Sequence, residues 1–318
     1  MRAATDWLPA FEVPPALANP AQAATKSIAS GVALALLGAI AFSGKAIIVK
    51  LAYRYNVDAV TLIMLRMLFA LPLFVAMAWW AGRGQPRLTG RDRLGVLGLG
   101  VSGYYLASYL DFEGLQYITA SLERLIVYLT PTLVMLLGWL IYRRGFTRWQ
   151  VAGMALSYGG VLLVFGHEIQ LVGPNVAWGA FLVFLSTLSY AVYLVYSGQL
   201  VQRLGSLRLV GLATSVACLC CMAQFAVLRP LHSVLALAPE VLWLSVLNAT
   251  LCTAVPVLLV MMAIERVGST MTAQVGMIGP LATIFMGVVL LGEPFTAWIA
   301  AGTVLVISGI FVFTRSAR

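Results

Sequence analysis

Residues 114–165 recur at 263–314 without a gap, so whatever this chain folds into is built at least partly twice. One offset carries the alignment: Pro131 falls on Pro280 (280 − 131 = 149). The same 149 carries Gly138 to Gly287, Phe146 to Phe295, Thr147 to Thr296, Trp149 to Trp298, Gly153 to Gly302 and Gly160 to Gly309. Each copy reads as a helix with a central proline, a tight turn ending in Phe-Thr-x-Trp, and a helix dotted with glycine.

The medium of that fold follows from charge. Of 318 residues 61% are hydrophobic and 10% charged, against about 25% charged in a soluble domain. Residues 169–202, 209–228, 241–264, 267–292 and 294–314 contain no charge. Each run is close to or above the roughly 20 residues that cross a hydrocarbon core. Only a helix satisfies its own backbone there, and the strict alternation of a membrane barrel is absent. The predicted class is an all-α integral membrane protein.

Spans at 28–51, 58–82, 93–111, 118–142, 148–166, 175–198, 208–228, 240–263, 268–291 and 295–314 give ten transmembrane helices. Segments on one side then hold fourteen basic residues, Arg83, Arg91, Arg144 and Arg203 among them, and the other side only Arg54 and Arg229. The positive-inside rule puts both termini in the cytoplasm of a multi-pass protein of the inner (plasma) membrane. The net charge of +9 is thus a topology signal and not a nucleic-acid footprint. Residues 1–27, rich in Ala and Pro, read as a flexible cytoplasmic tail without the order of a signal peptide. Cys218, Cys220, Cys221 and Cys252 fall inside spans as apolar packing residues; no metal site is expected. His167 and His232 fall in outer loops.

Five spans precede the loop at Gly173 and Pro174 and five follow it. An odd number per half turns the second copy upside down, giving two inverted-topology repeats, 28–166 and 175–314. The stretch Pro280-x6-Gly287-x5-Glu293-Pro294-Phe295-x2-Trp298-x3-Gly302-x6-Gly309 resembles the EamA repeat of the drug/metabolite transporter superfamily. The resemblance covers the whole membrane part. It implies a ten-helix exporter of amino acids, other metabolites or toxic compounds. Arg144 stands in the first copy where the second has Glu293.

Charges inside spans mark candidate function, because a basic residue at a helix centre costs about 2.5–3.5 kcal/mol and must face a cavity or a partner. Lys45, Arg66, Glu123 and Arg124 all come out roughly 8–12 Å below the outer helix ends at 1.5 Å per residue. Asp111 and Glu113 lie at the end of the third span. Two readings follow. The layer is an outer gate or substrate end, with Arg66 or Lys45 meeting a substrate carboxylate or Glu123. Otherwise it is a fixed charge network of Lys50, Asp111 and Arg124 with the others, Lys50 snorkelling to the headgroups. Glu123 is also a candidate carrier of a coupling proton.

Pro131 and Pro280 each remove a backbone hydrogen bond mid-span, which creates a kink and a polar spot at equivalent places. Tyr128, Gln274 and Met277 lie around them as cavity candidates. Tyr105 and Tyr109 in the third span and Asn248 in the eighth join that group. Tyr190, Tyr193 and Tyr196 form a stripe that reads as packing or as cavity lining. No phosphate loop, H-E-x-x-H pair or G-x-S-x-G turn is present, so neither ATP-driven transport nor hydrolysis is indicated, and no cofactor is expected. The expected function is secondary export of a small organic metabolite, an amino acid or a related compound, by alternating access. The rival is a membrane-embedded enzyme acting on lipid-linked groups through Glu123 or Asp111.

Overall fold

A computed structural model describes residues 20–142, 147–173, 175–276 and 278–315. Among them the secondary structure is helical throughout: α1 Pro20–Tyr53, α2 Ala59–Gly82, α3 Gly90–Leu99, α4 Ala107–Gly114, α5 Ala120–Val127, α6 Thr130–Tyr142 and α7 Arg148–Val172. Then come α8 Asn175–Leu204, α9 Ser206–Leu228, α10 Pro239–Ala249, α11 Val255–Gly276, α12 Gly279–Met286 and α13 Ala297–Arg315. Seven helical stretches are long and apolar enough to cross a membrane. The outer surface is correspondingly greasy, with Trp79, Leu140, Trp243 and Val227 exposed, while Arg66, Asp111, Glu123 and Arg124 are buried. That inversion of the soluble pattern is the arrangement of an integral membrane protein.

Helix starts obey local chemistry. The threonine of each Phe-Thr-x-Trp turn is an N-cap: Thr147 Oγ1 accepts from the Gln150 amide at 3.2 Å, and Thr296 Oγ1 from the Ile299 amide at 3.3 Å. Asp58 caps α2 and Thr119 caps α5 in the same way. Such caps satisfy amides that have no partner within the helix.

The glycines then set packing. A Cβ on Gly160 would stand 2.6 Å from the Gly302 carbonyl oxygen, and one on Gly302 would stand 2.7 Å from that of Gly160. A Cβ on Gly309 would meet the Gly153 oxygen at 2.6 Å. α7 and α13 are therefore in backbone contact along glycine rows that the 149 offset interchanges (153 + 149 = 302; 160 + 149 = 309). Small residues permit this close approach where lipid gives no hydrophobic drive to associate.

Irregular helix follows the same offset. π-helical turns occupy Gly100–Leu106 between α3 and α4 and Thr250–Ala254 between α10 and α11. Displaced by 149, the first covers 249–255. A third π turn, Gly287–Leu291, follows α12.

The predicted break between spans at 264–267 is not a loop; α11 is helical through it. Between Val267 and Gly279 the chain nonetheless turns back along α1. Gly31 of α1 meets Val267, Gly44 meets Cys252, and Ser43 meets Gly279. Residues 31 and 44 are about 20 Å apart along α1, so the chain descends beside α1 and returns within α11 and α12. His167, expected in a loop, lies in α7 and stacks on Trp298 at 5.7 Å between ring centroids.

Candidate functional site

α1, α4 and α5 bring four charges together. Lys45 Nζ donates to Asp111 Oδ2 at 2.6 Å and lies 3.5 Å from Glu123 Oε1. Arg124 Nε reaches back to 3.9 Å from Glu123 Oε2. The Thr119 cap fixes where α5 begins and so delivers Glu123 and Arg124 one turn below the loop. Glu123 is held between Lys45 and Arg124 by ion-pair contacts, beside the carboxylate of Asp111. Buried charges endure only when paired, and stripping one partner from such a group costs about 3–5 kcal/mol.

Arg66 departs from the expected pairing with Glu123. Its Nε donates to Thr253 Oγ1 at 3.1 Å, in the π turn after α10, and its guanidinium carbon lies 5.2 Å from the Phe112 ring centre. Thr253 Oγ1 in turn donates to the Asn248 carbonyl at 2.7 Å. Arg66 Nη1 is buried without a partner, as are both side-chain polar atoms of Asn248. Lys50 does not snorkel. It donates to the Leu115 and Ile118 carbonyls at 3.2 and 2.9 Å, capping the end of α4 and the turn after it.

Sequence reasoning missed a second polar girdle above this layer. Glu293 accepts from the Ala120 amide at 2.7 Å and from Ser121 Oγ at 2.8 Å, so an acid from the second copy caps a helix of the first. Glu168 accepts from the Thr119 hydroxyl and amide. Arg54 donates to the Leu291 carbonyl at 2.8 Å and Tyr53 to that of Phe112 at 2.5 Å. Glu293 stood in the repeat motif, but its target lies 173 residues away, beyond any local pattern.

The prolines begin second half-helices and do not bend continuous ones: α5 ends before α6, and α11 before α12. Each orphans the carbonyl four residues earlier. In the first copy Thr130 Oγ1 donates to the Val127 carbonyl at 2.5 Å. In the second, Gly279 occupies the place of Thr130 and cannot do so (130 + 149 = 279). The Tyr128 hydroxyl crosses over and donates to the Gly276 carbonyl at 2.8 Å. A Cβ on Gly279 would stand 2.7 Å from that hydroxyl, which is why glycine sits there. Ser43 Oγ donates to the Gly279 carbonyl at 2.9 Å. Pro280 is buried at this crossing, whereas the ring of Pro131 is exposed and turned away from the interior.

Tyr105 and Tyr109 are partly buried against the α1–α2 core, and no ion pair with the buried charges is found for them among the described residues. Tyr193 packs between Tyr104 and Tyr190, with a hydroxyl contact of 3.3 Å to Tyr104, so two of the predicted stripe are packing residues. The Gln274 side chain and Met277 lie outside what the structure describes. Cys218, Cys221 and Cys252 are buried free thiols, and among the described residues no cluster of His, Cys, Asp or Glu suits a metal.

A helical membrane protein with broken helices and charges meeting inside belongs to the transporter class. The chain matches the EamA-like transporter family twice, at residues 29–166 and 177–315, and belongs to that family. It is 30% identical to the uncharacterized transporter YcbK of Bacillus subtilis (strain 168), over 86% of this chain and 88% of that one. An uncharacterized transporter of Archaeoglobus fulgidus is 24% identical over 88% of this chain and 96% of its own. One solved crystal structure superposes with a TM-score of 0.58 at 19% identity, covering 92% of this chain and 99% of that one, and so shares its fold.

Proposed function

We propose that the chain is a secondary transporter of the plasma membrane, exporting a small organic metabolite, an amino acid or a related compound, by alternating access. In this reading ten spans form two five-helix repeats of inverted topology, with both termini cytoplasmic. The carrying observation is the reciprocal glycine contact of α7 with α13, supported by π turns and half-helix breaks at positions related by 149. Two bundles related in this way exchange roles when access alternates.

Glu293 and Arg54 join the outer ends of both repeats, with Glu168 and Lys50 bracing the first, which supports an outwardly closed state. Opening outward then requires Glu293 to release the start of α5. Helix breaks at Tyr128 and Gly276 supply the joints for that movement.

Counterflow into proteoliposomes tests the reading. Saturable exchange of unmodified amino acids supports it, and acceleration by a pH gradient identifies a coupling proton. Chemical conversion without flux points to the membrane-embedded enzyme instead, and flux without saturation or counterflow to a channel.

A further inference from the structure

The buried charges divide into a balanced and an unbalanced half. Lys45 and Arg124 carry two positive charges against the two negative charges of Asp111 and Glu123, and all four are linked by contacts of 3.9 Å or less. Arg66 stands outside this account. Among the described residues no carboxylate lies within 4.0 Å of it, and its one side-chain hydrogen bond goes to a neutral hydroxyl. It is 5% exposed, and Asn248 is 1% exposed.

A cation buried this deeply needs an anion, and among the described residues no carboxylate stands within ion-pair distance of Arg66; Asp111, whose Oδ2 is taken by Lys45, acts on it only from farther off. The atoms left without partners have the chemistry of a receptor. Arg66 Nη1 and Asn248 Nδ2 are donors, Asn248 Oδ1 is an acceptor, and Thr253 ties the two elements by bonding to both. The π turn Thr250–Ala254 makes that tie possible, because Thr253 reaches the carbonyl five residues back and not four. A π turn in a helix is frequently found where a side chain serves function.

We infer that Arg66 and Asn248 form an anion subsite for the carboxylate of the transported solute. The Lys45–Asp111–Glu123–Arg124 set is, by contrast, an internally neutral network. The inference rests on the transporter reading and narrows its substrate to carboxylates, excluding plain amines and organic cations. Planar, charge-assisted recognition by arginine suits a carboxylate, and loss of the charged donor weakens binding by about tenfold or more.

The test uses purified full-length protein in nanodiscs and the melting temperature as readout. The probes are the proteinogenic amino acids, each beside its carboxamide and its decarboxylated amine. Some free acids should raise the melting temperature while their amides and amines do not. Arg66→Gln should weaken that response about tenfold or more. Because Arg66→Gln can impair folding, Asn248→Asp is the second variant. Asn248 is joined to Arg66 through the Thr253 hydroxyl, so a carboxylate at 248 offers Arg66 an internal counter-ion and should cost the response while the protein still folds.

A response to amides or amines equal to that of the acids overturns the inference, as does a full response in Asn248→Asp, or no response to any acid. Flux is scored separately in proteoliposomes. Acid binding without counterflow keeps the subsite and removes the transporter reading. Counterflow of amines or cations keeps transport and removes the subsite.

Discussion

Lys45 is the residue on which the charge layer depends, since it alone touches both carboxylates. Lys45→Gln leaves Asp111 and Glu123 facing each other in a low-dielectric interior, whereas Glu123→Gln leaves Lys45 its bond to Asp111. Lys45→Gln should therefore be the more damaging, by about 3–5 kcal/mol, and adding Glu123→Gln should recover part of the loss in a thermal unfolding assay. Equal effects of the two single changes would contradict this ordering. Tyr128 permits a cleaner experiment. Tyr128→Phe orphans the Gly276 carbonyl and should cost about 1–3 kcal/mol. Pro280→Ala restores the missing amide to that carbonyl, so Tyr128→Phe added to Pro280→Ala should be close to silent. A full penalty in both backgrounds would disconnect the hydroxyl from the proline.

At the scale of elements, much was legible because it is local. The Phe-Thr-x-Trp turns and the glycine-dotted helices stood out as motifs paired by the 149 offset, and the structure adds what they do: cap two helices and seat α7 on α13. Counting residues placed Lys45, Arg66, Glu123 and Arg124 in one layer, with Asp111 at the end of the third span; Lys45, Asp111, Glu123 and Arg124 are linked by ion pairs, and Arg66 is not among them. What the chain did not disclose depends on contacts distant in sequence. Arg66 choosing Thr253 over Glu123, Lys50 choosing carbonyls over headgroups, and Tyr128 capping Gly276 each need another helix in place. π turns leave no mark on hydrophobic periodicity, and the turn back along α1 between Val267 and Gly279 carries no loop signature. The contact of α7 with α13 is testable on its own terms. Gly160→Val forces a side chain against the Gly302 carbonyl and should destabilise by about 1–3 kcal/mol, while Gly166→Val in the same helix, with open space around it, should change unfolding little. A second element-level expectation concerns pH. Hydrogen bonds from the Thr89 hydroxyl and amide hold the Asp92 carboxyl below its ordinary value at the start of α3. A lowered folded value gives stability that is present above the unfolded value of about 3.9 and fades as pH falls through the folded one. The melting-temperature gap between wild type and Asp92→Asn should thus be constant at neutral pH and close below about pH 4; a gap that widens on acidification would refute the cap.

On the scale of the whole molecule, the account stands on the two copies entering the membrane in opposite senses. The proline breaks and the π turns would equally decorate a duplication with parallel copies, whereas the glycine contacts pair Gly160 with Gly302 and Gly153 with Gly309 and so run antiparallel, and only inversion gives two interchangeable access states. Arg148 and Ala297 occupy equivalent, exposed positions at the starts of α7 and α13 (148 + 149 = 297). With the four native cysteines replaced, Arg148→Cys and Ala297→Cys can be probed singly in intact cells with a membrane-impermeant thiol reagent. The inverted layout predicts that Ala297→Cys is labelled from outside, and Arg148→Cys only once the membrane is opened. Labelling of both positions from the same side would contradict it.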